Sequence, residues 1–147
     1  MIQNRYVLTD KKSLEEVIRQ VEEGASVTLP VNGNSMLPFI IGGKESVILK
    51  APDHIGVGDV VLAWADGCCY VMHRIIRIDG DCFTLMGDGK LGCTEQCQLN
   101  DIKARVTHVI GADGKWHDLY SKWRMRAARL WYWLRPIRRF LLPLCRR

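Results

Sequence analysis

Apolar residues recur at helical spacing early in the chain, at Leu14, Val17, Ile18 and Val21, behind a serine at 13 that has Glu16 three residues on. This pattern predicts an amphipathic helix with Ser13 as N-cap in a capping box and Gly24 as its end. The period then changes. Ser26 to Val31 is rich in β-branched residues and reads as a strand, and further strands are predicted at Glu45 to Lys50, Val57 to Ala65, Cys69 to Ile78, Asp81 to Met86 and Asn100 to Ile110. Asp66-Gly67 and Asp79-Gly80 mark hairpin turns. From Lys122 to Leu134 the spacing is helical again: Trp123, Ala127, Leu130, Trp131 and Leu134 fall on one face, while Lys122, Arg126 and Arg129 fall on another. Pro136 interrupts it, and Ile137, Phe140, Leu141 and Leu144 carry the apolar character onward. A helix followed by short strands joined by tight turns predicts an α+β, mainly β domain with a small antiparallel sheet.

Composition narrows this picture. A chain of 147 residues with 48% hydrophobic content suits one domain with a genuine core. Charge is uneven: from Ser121 onward there are nine Lys/Arg and no Asp/Glu, whereas the residues before it hold 12 basic and 16 acidic groups. The expected organisation is a mildly acidic domain over 1–120 and a basic aromatic tail over 121–147. That tail, with Trp123, Trp131, Tyr132 and Trp133, has two open readings. It lies on an anionic membrane surface, or it docks its aromatic face on the β domain and leaves its arginines in water. Nucleic acid is disfavoured, because the aromatics cluster on the apolar side instead of alternating along a groove.

The first residues lack the apolar run of an export signal, and no stretch approaches the roughly eighteen apolar residues of a membrane span. The expectation is a cytoplasmic protein, peripheral on the inner membrane face if the tail engages lipid. Six cysteines (Cys68, Cys69, Cys82, Cys93, Cys97, Cys145) then read as reduced thiols. Cys93 and Cys97 would share one face of a helical turn, but no second Cys/His pair stands at a suitable spacing, so no metal and no cofactor are expected.

Three segments carry candidate chemistry: Gly33-Asn34-Ser35-Met36-Leu37-Pro38, His73 within Tyr70 to Arg74, and Gly87-Asp88-Gly89. A serine hydroxyl attacks well only if a neighbouring base takes its proton, which makes Ser35 dependent on a partner. Histidine, ordinarily neutral for the most part at pH 7, serves without the burial that a lysine base needs. Strand alternation puts Val71, His73 and Ile75 on one face and Tyr70, Met72 and Arg74 on the other, so His73 is expected to point inward or toward a cleft. A carboxylate at its second ring nitrogen would fix the tautomer, and Asp88 is the first candidate.

The order and grouping of these segments resemble the type I signal peptidase and LexA-like serine peptidase superfamily, in the histidine-base form of the endoplasmic-reticulum signal peptidase and its archaeal and bacterial relatives. The resemblance covers roughly residues 26 to 110. It implies the superfamily's coiled β fold, a serine endopeptidase activity with a Ser35/His73 dyad, and cleavage of a leader or signal segment. It also implies a further acidic residue some positions after the Gly-Asp segment, for which Glu95 is the second-ranked orienting carboxylate. The backbone N–H of Ser35 would serve the oxyanion, with Asn34 or Asn32 as further donors, since Gly33 occupies the place where bacterial signal peptidases often carry a serine. Gly33 would permit the turn, Pro38 would fix the loop's exit, and Met36 would shape the substrate cleft. Asp59, in the matching Gly58-Asp59 segment, reads as a turn or strand-start residue. Substrate is expected as an added β-strand with small residues before the cut. Two other readings stay open: a non-catalytic peptide-binding or membrane-recruiting module, and a repressor-type self-cleaving regulatory domain.

Overall fold

The structure is a computed structural model, and it describes residues 3–5, 11–30, 45–87, 94–118, 120 and 122–134. The fold is α+β and mainly β, with one helix near each end of the described chain. Helix α1 (Lys11–Glu22) buries Val17, Ile18 and Val21, the stripe that the sequence period marks. It starts at Lys11, so Ser13 lies inside the first turn and is not the N-cap; Lys11 and Lys12, good helix formers, extend the helix past it. The Glu16 carboxylate accepts from Arg19 and from Gln20 further along the helix. Gly24 closes α1 as expected. At φ 95° its N–H reaches the Val21 carbonyl at 3.0 Å, and the Ala25 N–H reaches the Gln20 carbonyl at 3.1 Å, the pair of bonds that a left-handed C-terminal glycine permits.

Strands β1 (Gln3–Arg5), β2 (Ser26–Pro30), β3 (Ser46–Lys50), β4 (Val60–Ala65), β5 (Cys69–Asp79), β6 (Cys82–Met86), β7 (Glu95–Gln98), β8 (Ile102–Ile110) and β9 (Trp116–Asp118) form one sheet. Its order is β1-β2-β3-β8-β4-β5-β6-β7, with β9 also paired to β8. Only β1 and β2 run parallel; every other described pair is antiparallel. The predicted strands are present with small shifts at their ends, and β1, β7 and β9 are additions to them. Asp66 and Gly67 both have positive φ (52° and 68°), and the Cys68 N–H bonds the Ala65 carbonyl at 3.0 Å. That geometry is why Asp-Gly suits this hairpin. In the next hairpin Asp79 pairs with Cys82, so the turn is Gly80-Asp81 and not Asp79-Gly80; glycine, with φ 57°, takes the first central position.

Bulges at Ile48/Leu49, Leu62/Ala63 and Ile75/Arg77 coil the sheet. Each face of β4 meets its own core. Val60 and Leu62 join Val27, Leu29, Val47, Leu49, Ala104, Val106 and the α1 stripe, whereas Val61 and Ala63 join Ile75, Phe83, Leu85, Cys97 and Ile102. The second core lies inside the curl of β4 to β7. There β7 packs back on β4: the Asp66 N–H donates to the Gln96 carbonyl at 2.8 Å, and the Gln96 N–H donates to Asp66 Oδ1 at 2.9 Å.

The turn before β4 is held from several sides. The Gly58 N–H donates to the Ile75 carbonyl at 2.8 Å, Arg74 Nη1 donates to the Gly58 carbonyl at 2.8 Å, and the Ile75 N–H donates to the Asp59 carbonyl at 2.8 Å. Asp59 lies between the turn at 57–58 and the first residue of β4. Its Oδ2 accepts from the Gly56 N–H at 2.9 Å and lies 3.3 Å from Arg105 Nε. That nitrogen makes no aligned hydrogen bond, so charge and the 3.4 Å contact through Nη2 hold the pair. Arg105 also stacks 4.0 Å above the ring of Tyr120, whose hydroxyl accepts from the Val60 N–H at 3.0 Å and donates to the Val60 carbonyl at 3.3 Å.

Burial pushes the Tyr120 phenol up to about 12. A raised folded-state value means that the neutral phenol stabilises the fold fully below its ordinary value of about 10 and loses that contribution as pH climbs toward 12. Urea unfolding at pH 9 and 11.5 is expected to show an alkaline loss that is on the order of 2 kcal/mol smaller in Tyr120→Phe than in the wild type. Equal losses in both proteins would count against the buried phenol as its source.

Helix α2 (Lys122–Trp133) occupies the predicted C-terminal position. It buries Trp131, while Leu130, expected on the same face, is 61% exposed. The docked side instead carries Met125, Ala128 and Tyr132 along a cleft of about 300 Å³ against Val57, Gly58 and Ile76. Successive residues on a helix point about 100° apart, so burying Trp131 turns Leu130 outward. Gly58, at φ 99°, admits the Met125 methyl where a Cβ would stand 2.6 Å away. Among the described residues, no helix is long and apolar enough to cross a membrane.

Candidate functional site

His73 sits on β5 opposite Val61 of β4, with Val71 and Ile75 on its own face, as alternation requires. Ile75 pairs with Leu85 on β6, and Leu85 pairs with Glu95 on β7. Cross-strand partners share a face, so this row carries Glu95 to the same side as His73 although two strand spacings, about 10 Å, separate their backbones. The β5–β6 ladder ends at Arg74 and Met86, one residue before His73 is reached. Glu95 nevertheless meets the histidine. Its Oε2 lies 3.0 Å from His73 Nδ1.

Both partners are sheltered, with side-chain exposures of 6% for His73 and 17% for Glu95. An ionised carboxylate only accepts, so Nδ1 is the donor and carries the proton. In the neutral ring Nε2 is then an unprotonated acceptor, the nitrogen a general base uses. Water is largely excluded by the core that begins with Val61 and Ile75, which strengthens the charge-assisted bond and resists reorientation of the ring.

The structure thus joins two of the four candidate catalytic residues, and the carboxylate at the histidine is the second-ranked one. Ser35, Asp88, Gly33, Asn34, Met36 and Pro38 lie outside the described residues, as do Cys93 and Cys145. Sequence reasoning did not anticipate β7. Cys97, considered with Cys93 on a helical turn, is instead on β7 and faces the core, where burial pushes its thiol up to about 11. Among the described residues, no group of three or more His, Cys, Asp or Glu side chains is placed to hold a metal ion.

No protein-family model matches this chain, and no curated protein matches it significantly.

Beside the histidine, one strand edge has no neighbour among the described strands. Residues Cys69 to His73 pair with β4 on one side, and among the described strands nothing pairs with their other side, because β6 ends opposite Arg74. A strand edge without a described neighbour is the kind of place where an extended peptide can pair.

Proposed function

We propose that this protein is a serine endopeptidase of the signal peptidase and LexA-like kind, with Ser35 as nucleophile, His73 as base and Glu95 as the carboxylate that orients it. The observation that carries the reading is the sheltered 3.0 Å bond between His73 Nδ1 and Glu95 Oε2. A histidine serving only to fill a core has no need of a carboxylate brought from two strands away. In the mechanism, Nε2 takes the Ser35 proton as the oxygen attacks the scissile carbonyl, and the imidazolium is stabilised by Glu95. The same proton passes to the leaving amine, and His73 then activates the water that hydrolyses the acyl ester. The Ser35 N–H and Asn34 would meet the oxyanion. The substrate, a leader-bearing peptide or protein, would lie as an added strand beside Cys69 to His73 of β5.

A fluorophosphonate probe tests this directly. One adduct per chain is expected, mapped to Ser35, absent from Ser35→Ala and strongly slowed in His73→Ala. A folded protein that takes no label, yet binds leader peptide, would leave the non-catalytic module as the better account.

We also propose that the enzyme works at the cytoplasmic face of an anionic membrane through α2. Trp133 is 81% exposed and Leu130 61%, beside the exposed Arg126 and Arg129, while Trp131 secures the helix to the body. An exposed indole and nearby cations favour the lipid interface, each cation contributing about 1 kcal/mol. Co-sedimentation with vesicles containing phosphatidylserine is expected, and Trp133→Ala should weaken it severalfold. Equal recovery with neutral vesicles would contradict the electrostatic part.

A further inference from the structure

We propose that Cys68 and Cys69 form a reversible dithiol–disulfide site placed to control the His73–Glu95 pair. The control rests on the peptidase reading; the redox site itself does not. The two thiols are exposed at the tip of the β4–β5 hairpin, with their sulfurs 3.5 Å apart. By contrast, the Cys97 thiol is buried in the core and poorly reactive. The hairpin tip is also joined to the site. Asp66, two residues before Cys68, makes both hydrogen bonds to Gln96, the neighbour of Glu95.

The geometry of closure supplies the coupling. A disulfide needs its sulfurs about 2.05 Å apart and usually links Cα atoms 4.4–6.8 Å apart, whereas successive residues are separated by about 3.8 Å. Closing this pair therefore twists the Cys68–Cys69 peptide and pulls on the turn bond from Cys68 to Ala65 and on the Ala65–Cys69 pair. The Asp66–Gln96 bonds carry that displacement to β7 and hence to Glu95.

The oxidant is a low-molecular-weight disulfide. One cysteine thiolate attacks it, forming a mixed disulfide and expelling one small thiol. The second cysteine attacks the protein-side sulfur, forming the Cys68–Cys69 bond and releasing the other small thiol. Two electrons and two protons leave the protein thiols and reside in the two small thiols released. Exposed or strained disulfides are readily reduced again, so excess small thiol reverses the reaction.

The test is incubation of the full chain with glutathione disulfide, read by intact mass, peptide mapping and the ring resonances of His73. A loss of about 2 Da for two hydrogens, mapped to a 68–69 bond and reversed by reduced glutathione, is expected. The His73 signals should shift on oxidation in the wild type and stay in place in Cys68→Ser under the same treatment. Stable glutathione adducts, no oxidation, or bonds to other cysteines would overturn the site. A formed 68–69 bond with unmoved His73 signals would overturn the control. Failure of the peptidase reading would appear separately, as absence of probe label on Ser35.

Discussion

Cleavage of a leader peptide by His73→Ala is expected to fall by about 10⁴- to 10⁶-fold in kcat, and Ser35→Ala should match it. The double variant should be no slower than either single one, since a nucleophile without its base and a base without its nucleophile are equally idle. Non-additivity is the informative part of this measurement. If the two losses multiplied, the residues would act independently, and the dyad would be excluded even though both matter. Folding must be checked in parallel. His73 is 5% exposed on the wall of the second core, so trimming it to alanine leaves a cavity worth on the order of 1–3 kcal/mol. His73→Gln, closer in volume, separates that cost from the chemical one. Circular dichroism and urea midpoints near the wild type, with cleavage lost in both variants, are the expected pairing.

The second large effect concerns Glu95. In Glu95→Gln the side chain keeps its size and can still contact Nδ1, but it offers no charge to the imidazolium and can donate as well as accept. The ring is then free to take the wrong tautomer, and a loss of about 10² to 10⁴ in kcat is expected with KM nearly unchanged. Nitrogen-15 shifts of the His73 ring should show Nδ1 protonated in the wild type and a mixture in the variant. Asp88→Asn is the companion experiment. Near-normal turnover in Glu95→Gln, with collapse in Asp88→Asn, would transfer the orienting role to Asp88.

Much of this arrangement is legible in the sequence. Period-2 runs rich in Val, Ile and Leu marked β2 to β6 and β8, and the two Asp-Gly pairs located both hairpins, the second one residue early. The inward face of Val71, His73 and Ile75 followed from alternation alone. What could not be read was β7, because Glu95-Gln96-Cys97-Gln98 has almost no apolar signal. It is a strand through its ladder with β6 and its bonds to Asp66, and both are tertiary. Glu95 therefore ranked below Asp88 by position along the chain, whereas its meeting with His73 is set by the register Ile75–Leu85–Glu95. On α2, the hydrophobic face was drawn around Leu130 from periodicity. The body keeps Trp131 of that face but turns Leu130 out, and it seats Met125 beside a residue without a side chain.

The alternation of β4 between two apolar clusters has a bearing on how the molecule comes apart. A rotation or shift of that strand disturbs both clusters at once, because each second residue serves a different one. Neither half of the body has a private centre that would survive the loss of the other. Melting is thus tied into one all-or-none event, and partial opening is confined to the periphery, where α2 and the hairpin tips lie.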